Sequence, residues 1–135
     1  MADSINFRDM DIEAAINKGV TNALVGLANI AVTQAKSIVA VDTGRLRNSI
    51  TWKMKEQQGR TSANSESDTI IAPTDDLQVA FGTNVEYAPY VEYGTDKMAA
   101  KPYIAPAKIK VQREIENGYV ASKIRQELRR AGRLW

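Results

Sequence analysis

The chain has 135 residues, enough for one domain with a sizeable core, and its 44% hydrophobic and 25% charged content suits a folded globular domain. Cysteine and histidine are both absent, which excludes disulfides, thiolate metal sites, imidazole ligands and the commonest general base. Net charge is only +2, but residues 101–135 hold nine basic and three acidic side chains against six and nine over residues 41–100.

Residues 1–8 read as a loose arm, and the opening MADSINFRDMDIE lacks the basic start and apolar centre of a secretory signal. No apolar run approaches the roughly 20 residues that span a bilayer, so no membrane is expected as a partner. From about Asp9 to Ala40 the positions Ile12, Ile16, Val20, Ala23, Leu24, Leu27, Ile30, Ala31, Ala35 and Ile38 follow helical spacing. Asp9 and Asp11 near its start complement the helix dipole. Gly19 and Gly26 each cost about 1 kcal/mol relative to alanine, which suggests close packing against another element.

Asp42, Thr43 and Gly44 end that helix and open a short one over Arg45 to Asn48, with Thr43 or Asp42 as N-cap. Ser49 to Glu56 alternates Ile50, Trp52 and Met54 against Thr51, Lys53 and Lys55, the pattern of a half-buried strand. Residues 57–67, QQGRTSANSES, contain no large apolar residue and read as a mobile loop. Asp68 to Ala72 and Leu77 to Phe81 read as two further strands about a turn at Pro73 to Asp76. A short turn of helix follows, with Pro89 at its start and Gly94 just past its end. Pro106 then sits in the first turn of a final helix to about Arg130, with Val111, Ile115, Tyr119 and Leu128 on its buried side. The expected architecture is a single α+β domain over residues 1–135. A small antiparallel sheet of three or four strands is covered on one face by a long N-terminal and a long C-terminal helix, with a short helix after the first.

Few of the polar residues suggest chemistry. Arg45 and Arg47 flank a Thr-Gly turn that lacks the converging glycines and lysine of a phosphate loop, so an ion pair with a carboxylate of the same or an adjacent chain is expected. Asp75 and Asp76 are adjacent in a turn and read as soluble turn formers. Serines and lysines show no nucleophile–base spacing, and no carboxylate cluster suggests a metal, so neither enzyme activity nor a cofactor is expected. Tyr87, Tyr90 and Tyr93 fall three apart, and amphipathic rings so placed serve packing and protein contact. They form either a subunit boundary or a covered corner of the core. Glu86 and Glu92 beside them read first as exposed caps and second as partners for basic residues of a neighbour.

Three blocks carry a family resemblance: VDTGRLRNSI over 41–50, FGTNVEYAPYVEYGT over 81–95 and KPYIAPA over 101–107. Their residues Thr43, Gly44, Leu46 and Ser49, then Gly82, Thr83, Tyr87, Ala88, Val91, Glu92, Tyr93, Gly94 and Thr95, then Pro102, Tyr103, Ile104, Pro106 and Ala107, follow one family pattern. Together they resemble the tail-component, or tail-completion, family of long-tailed lambdoid bacteriophages, the head–tail joining and tail-terminator proteins. The loop at 57–67 matches no motif of that resemblance.

What the resemblance implies is a virion structural protein at the neck or tail end, assembled in the host cytoplasm. It would be a subunit of a homo-oligomeric ring, a hexamer, that binds the tail-tube protein and the head–tail connector or stopper, with DNA only passing through. On that reading Arg45, Arg47, Glu86, Tyr87, Tyr90, Glu92 and Tyr93 are candidates for the subunit or partner interface. Gln58, Gly59, Arg60, Thr61, Ser62 and Asn64 are candidates for a loop that orders on the tail tube. Two alternatives stand beside it: a minor tail or connector component of the same junction, and a nucleic-acid module acting through Lys108, Lys110, Lys123, Arg125, Arg129, Arg130 and Arg133.

Overall fold

The computed structural model of the chain describes residues 5–39 and 44–132. Its elements are α1 (Ile5–Ile38), α2 (Gly44–Ser49), β1 (Thr51–Lys53), β2 (Ala80–Gly82), α3 (Ala88–Tyr93), α4 (Ile104–Glu116) and α5 (Tyr119–Arg130). The class is α+β. The helix expected from Asp9 already begins at Ile5, so only residues 1–4 of the expected arm, like the capping pair Asp42 and Thr43, lie outside the described residues.

At 34 residues, α1 is about 50 Å long and organises everything else. Ala15, Gly19, Ala23, Leu27, Ala31, Ala35 and, one residue beyond the helix, Val39 are all buried. This every-fourth-residue stripe is mostly small, so neighbouring backbones come close. Ile16 and Ile38, expected in the core, are exposed because the contact line runs through the small residues beside them. A Cβ on Gly19 would lie 2.6 Å from the Cα of Ile124, so the close packing expected at this glycine is present.

A stripe of fours turns about 40° around the helix at each step, so a straight partner drifts off it. The C-terminal partner is not straight. It was expected as one helix, but Asn117 and Gly118 divide it into α4 and α5, with Gly118 at φ +90° and its N–H donating to the carbonyl of Ile115 at 3.0 Å. An Asn-Gly pair inside a helical pattern is a turn signal that outweighed the apolar periodicity. Both helices pack along α1, and Ile115 is exposed as a result.

The sheet has two strands, not three or four. β1 and β2 pair antiparallel in the register Thr51–Gly82, Trp52–Phe81 and Lys53–Ala80. Trp52 and Met54 face α1, packing on Ala28 beside Leu24, Val25, Val79 and Phe81. The indole of Trp52 also donates to Asn29 Oδ1 at 2.8 Å. A second cluster joins Ala31, Ala35 and Val39 to Leu46, Ile50, Val85, Ala88, Tyr103 and Ala107.

Thr51 and Lys53 point the other way, yet they are also buried, so β1 does not show the half-buried pattern its alternation suggests. The reason is the segment after the loop. Lys53 Nζ donates to Glu66 Oε1 and Thr69 Oγ1, each at 3.0 Å, which draws that segment over the back of the sheet. The expected strand from Asp68 therefore does not form: Glu66–Asp68 is a 3₁₀ turn capped by Ser65, and it meets the chain beyond β2 through Asn84, whose N donates to Asp68 O at 2.8 Å and whose Nδ2 donates to Ser67 O at 3.1 Å.

Candidate functional site

The densest polar cluster is centred on Arg45, the second residue of α2. Its Nε and Nη2 donate to Asp68 Oδ2 and Oδ1 at 3.0 and 2.9 Å, while Nη1 and Nη2 donate to Glu86 Oε1 and Oε2, both at 2.9 Å. The guanidinium carbon also stands 5.7 Å from the centre of the Tyr87 ring. Both carboxylates titrate below their ordinary values of 3.8 and 4.5, chiefly through these hydrogen bonds, and the guanidinium rises correspondingly. The ion pair expected at Arg45 thus lies within the chain, and it ties α2, the 3₁₀ turn and the approach to α3 together. Glu86 is exposed, as expected, but it pairs with Arg45 and caps no helix. Arg47 is exposed and makes no ion pair with a described residue.

Glu92 is buried, contrary to its reading as an exposed cap or a partner for a neighbour. Its Oε1 accepts from the backbone N–H of Tyr103 and Ile104 at 3.0 and 2.8 Å, and Oε2 from that of Ala105 at 3.2 Å. It caps α4 from another helix. Tyr103, nearly inaccessible, reaches the carbonyl of Ala88 at 3.4 Å, and burial, followed by the nearby Glu92 charge, pushes its phenol up to about 12.

The three tyrosines are not presented together. Tyr87 is half-buried under Arg45, whereas Tyr90 and Tyr93 are 57% and 81% exposed. Pro89 and Gly94 bracket α3 as the sequence suggests, with Gly94 at φ +79°. Beside α3 an open groove of about 410 Å³ is walled by Ile70, Phe81, Pro89, Tyr93 and Ile104. The carbonyl of Trp52 accepts from Gly59 N at 2.9 Å, so its polar backbone faces away from β2. Its partner Phe81 accordingly turns its own N–H and C=O outward, toward an open strand edge.

The loop candidates divide into two groups. Gln58 forms a bridge with Lys53, Gly59 lies under the Trp52 ring, and the carbonyl of Arg60 accepts from Thr51 Oγ1 at 3.2 Å. Thr61 makes a long 3.5 Å bond to the carbonyl of Asn48, and Ser62 and Asn64 stand exposed. Among the basic candidates, Lys110 pairs with Glu114, Arg130 with Glu127, and Lys123 lies over Tyr119. Lys108, Arg125 and Arg129 are exposed, and Arg133 lies outside the described residues.

Several residues that shape this region were not singled out from sequence. Asp68 and Lys53 are long-range ion partners with no local signature. Glu127 is buried at the α1–α5 contact, accepting from Asn22 at 3.0 Å and Arg130 at 2.8 Å; its place on the apolar side of α5, between Ile124 and Leu128, was the available signal. Among the described residues no group of His, Cys, Asp and Glu is placed to hold a metal, and no helix is long and apolar enough to cross a membrane.

A helix-organised α+β domain whose polar clusters tie its own elements together, and which also exposes large side chains such as Tyr90, Tyr93 and Ile71, is suited to packing against other proteins. A family model described as "Bacteriophage HK97-gp10, putative tail-component" matches residues 7–94, well over half of the chain. The chain belongs to this HK97-gp10-like family of phage tail components. Membership places it in the virion, in contact with other phage tail or head proteins. The match takes in α1 to α3 and the Arg45 cluster, and it stops before the KPYIAPA block, α4 and α5. No curated protein and no solved structure matches the chain.

Proposed function

We propose that this tail component completes the tail at the head–tail junction, as a subunit of a homo-oligomeric ring, a hexamer, set between the tail-tube protein and the connector. Its work is mechanical: it bounds the tube and offers a fitted surface, without catalysis or cofactor, in the neck of the particle after assembly in the host cytoplasm. The observation that carries this reading is the exposed aromatic surface of α3 beside the open edge of β2: Tyr93, which walls the groove next to Phe81, is 81% accessible, and Tyr90 on the same helix is 57% accessible. Aromatic side chains on such a surface bury large area at little entropic cost, and an open strand edge is a ready template for a neighbour.

The test is the mass of the purified protein by light scattering, alone and with tail-tube protein. A ring under either condition supports the reading; a monomer under both sinks it. A nucleic-acid role has one observation in its favour, the exposed Arg125 and Arg129 one turn apart on α5, which make no ion pair with a described residue. Binding by that route weakens steeply as salt rises, whereas a tyrosine-rich contact changes little.

A further inference from the structure

Two surfaces of this subunit are opposite in charge, and neither is fully neutralised by the described residues. The first is the turn over 71–77. Ile71 and Leu77 on it are 87% and 60% exposed, an unusual degree for such side chains. Between them stand the exposed carboxylates of Asp75 and Asp76; Asp76 meets Lys55 Nζ at 3.1 Å, and exposed Glu56 adjoins that lysine, so the turn remains acidic. The second surface is the outer face of α4. Ile109, 52% exposed, stands there with Lys108 and Arg113, both exposed and without an ion pair to a described residue. Ile109 and Arg113 are four apart, so they share one side of the helix, and exposed Glu116 lies at its far end.

We propose that the acidic turn of one copy docks on the basic outer face of α4 in the next copy, head to tail. This rests on the ring reading and names its contact surfaces. Opposite patches can pair reciprocally across a two-fold axis, which closes a dimer, or head to tail, which generates rings; the ring reading selects the second. Burial of Ile71, Leu77 and Ile109 supplies the affinity, because exposed ion pairs contribute little. The charges select partner and register.

The experiment uses two full-length variants, Asp75→Lys/Asp76→Lys and Lys108→Glu/Arg113→Glu, sized by light scattering at about 0.1 M salt, where surface charges still act over roughly 10 Å. All four positions are exposed, so unchanged thermal melts are expected to show that both variants fold. Each alone should self-associate at least tenfold more weakly than the parent chain, since both of its surfaces now bear one sign. Mixed one to one, they should regain the parental mass, because each then offers the other two matched faces. Ile109→Asp should weaken association without touching the turn. Parental assembly by either charge variant or by Ile109→Asp, or a mixture that stays dissociated, overturns the pairing while leaving the ring reading intact. A parent chain that is monomeric alone and with tail-tube protein removes both.

Discussion

The Glu92 carboxylate accepts the backbone N–H of Tyr103, eleven residues further on, at 3.0 Å. With Ile104 and Ala105 also donating to it, and Pro106 lacking an N–H, one side chain satisfies every free donor in the first turn of α4. Glu92→Ala leaves three donors at a buried helix start and is expected to lower stability by about 1–3 kcal/mol in urea unfolding. Glu92→Gln keeps one acceptor oxygen and should lose clearly less. Equal stability of Glu92→Ala and the parent chain would refute the cap.

The two interhelical glycines of α1 should respond differently to alanine. At Gly19 the new methyl meets the Ile124 backbone, so the helices must part, at a cost of about 1–3 kcal/mol. That exceeds the gain of ~1 kcal/mol in helix propensity. At Gly26 the methyl meets the hydroxyl end of Tyr119, a side chain that can turn aside. Gly26→Ala should therefore be milder, and Tyr119→Phe should recover part of its loss, as a thermal-melt cycle of the four chains will show.

The Arg45 cluster predicts an acid response. Asp68 and Glu86 both titrate below their ordinary values in the folded chain, so the unfolded chain binds protons first as pH falls. Their contribution is complete above about pH 4.5, the higher of the two ordinary values, and is lost as pH drops through the folded values, which lie below 3.8 for Asp68 and below 4.5 for Glu86. Arg45→Met should flatten the stability–pH curve in that acid window and lower stability near neutrality. An unchanged acid limb would show that the two carboxylates are not coupled to Arg45.

Much of this was legible in the chain and some was not. The long first helix, the Pro89–Gly94 turn and the close-packing glycines follow from local rules, because capping residues and small residues act within a few positions of where they stand. The third strand was not legible. Asp68 to Ala72 has strand-like composition, but Lys53 and Arg45, far away in sequence, claim Glu66, Thr69 and Asp68 and hold the segment across the sheet. Glu92 was misread for the same reason: a carboxylate beside tyrosines looks exposed until the helix it caps is in place. The break at Asn117 was legible in the Asn-Gly pair, although the apolar spacing runs on through it.

Assembly and folding should separate at the exposed positions. Tyr90→Ser/Tyr93→Ser is expected to leave the melting temperature nearly unchanged, since surface replacements usually cost within about 0.5 kcal/mol, yet to impair ring formation or tail-tube binding. Replacing only residues 62–64 should do likewise for attachment. A deletion over 58–66 would also remove the Gly59 and Glu66 contacts with β1, so it cannot distinguish the two effects. Normal particles from the tyrosine variant would argue against that surface as a contact.

The kink at Gly118 has a bearing on relatives of this chain. The family match ends at residue 94, but Gly19 and Gly26 of the α1 seam meet Ile124 and Tyr119 of α5, and Ala107 of α4 joins the cluster around Ala31 and Ala35. A fragment cut at that limit would leave a shallow apolar trough along most of its longest helix, with Glu92 stripped of the amides it holds. Any relative that truly ends there must roof the same trough from elsewhere, by bulkier side chains on α1 or by a helix lent from an adjoining molecule.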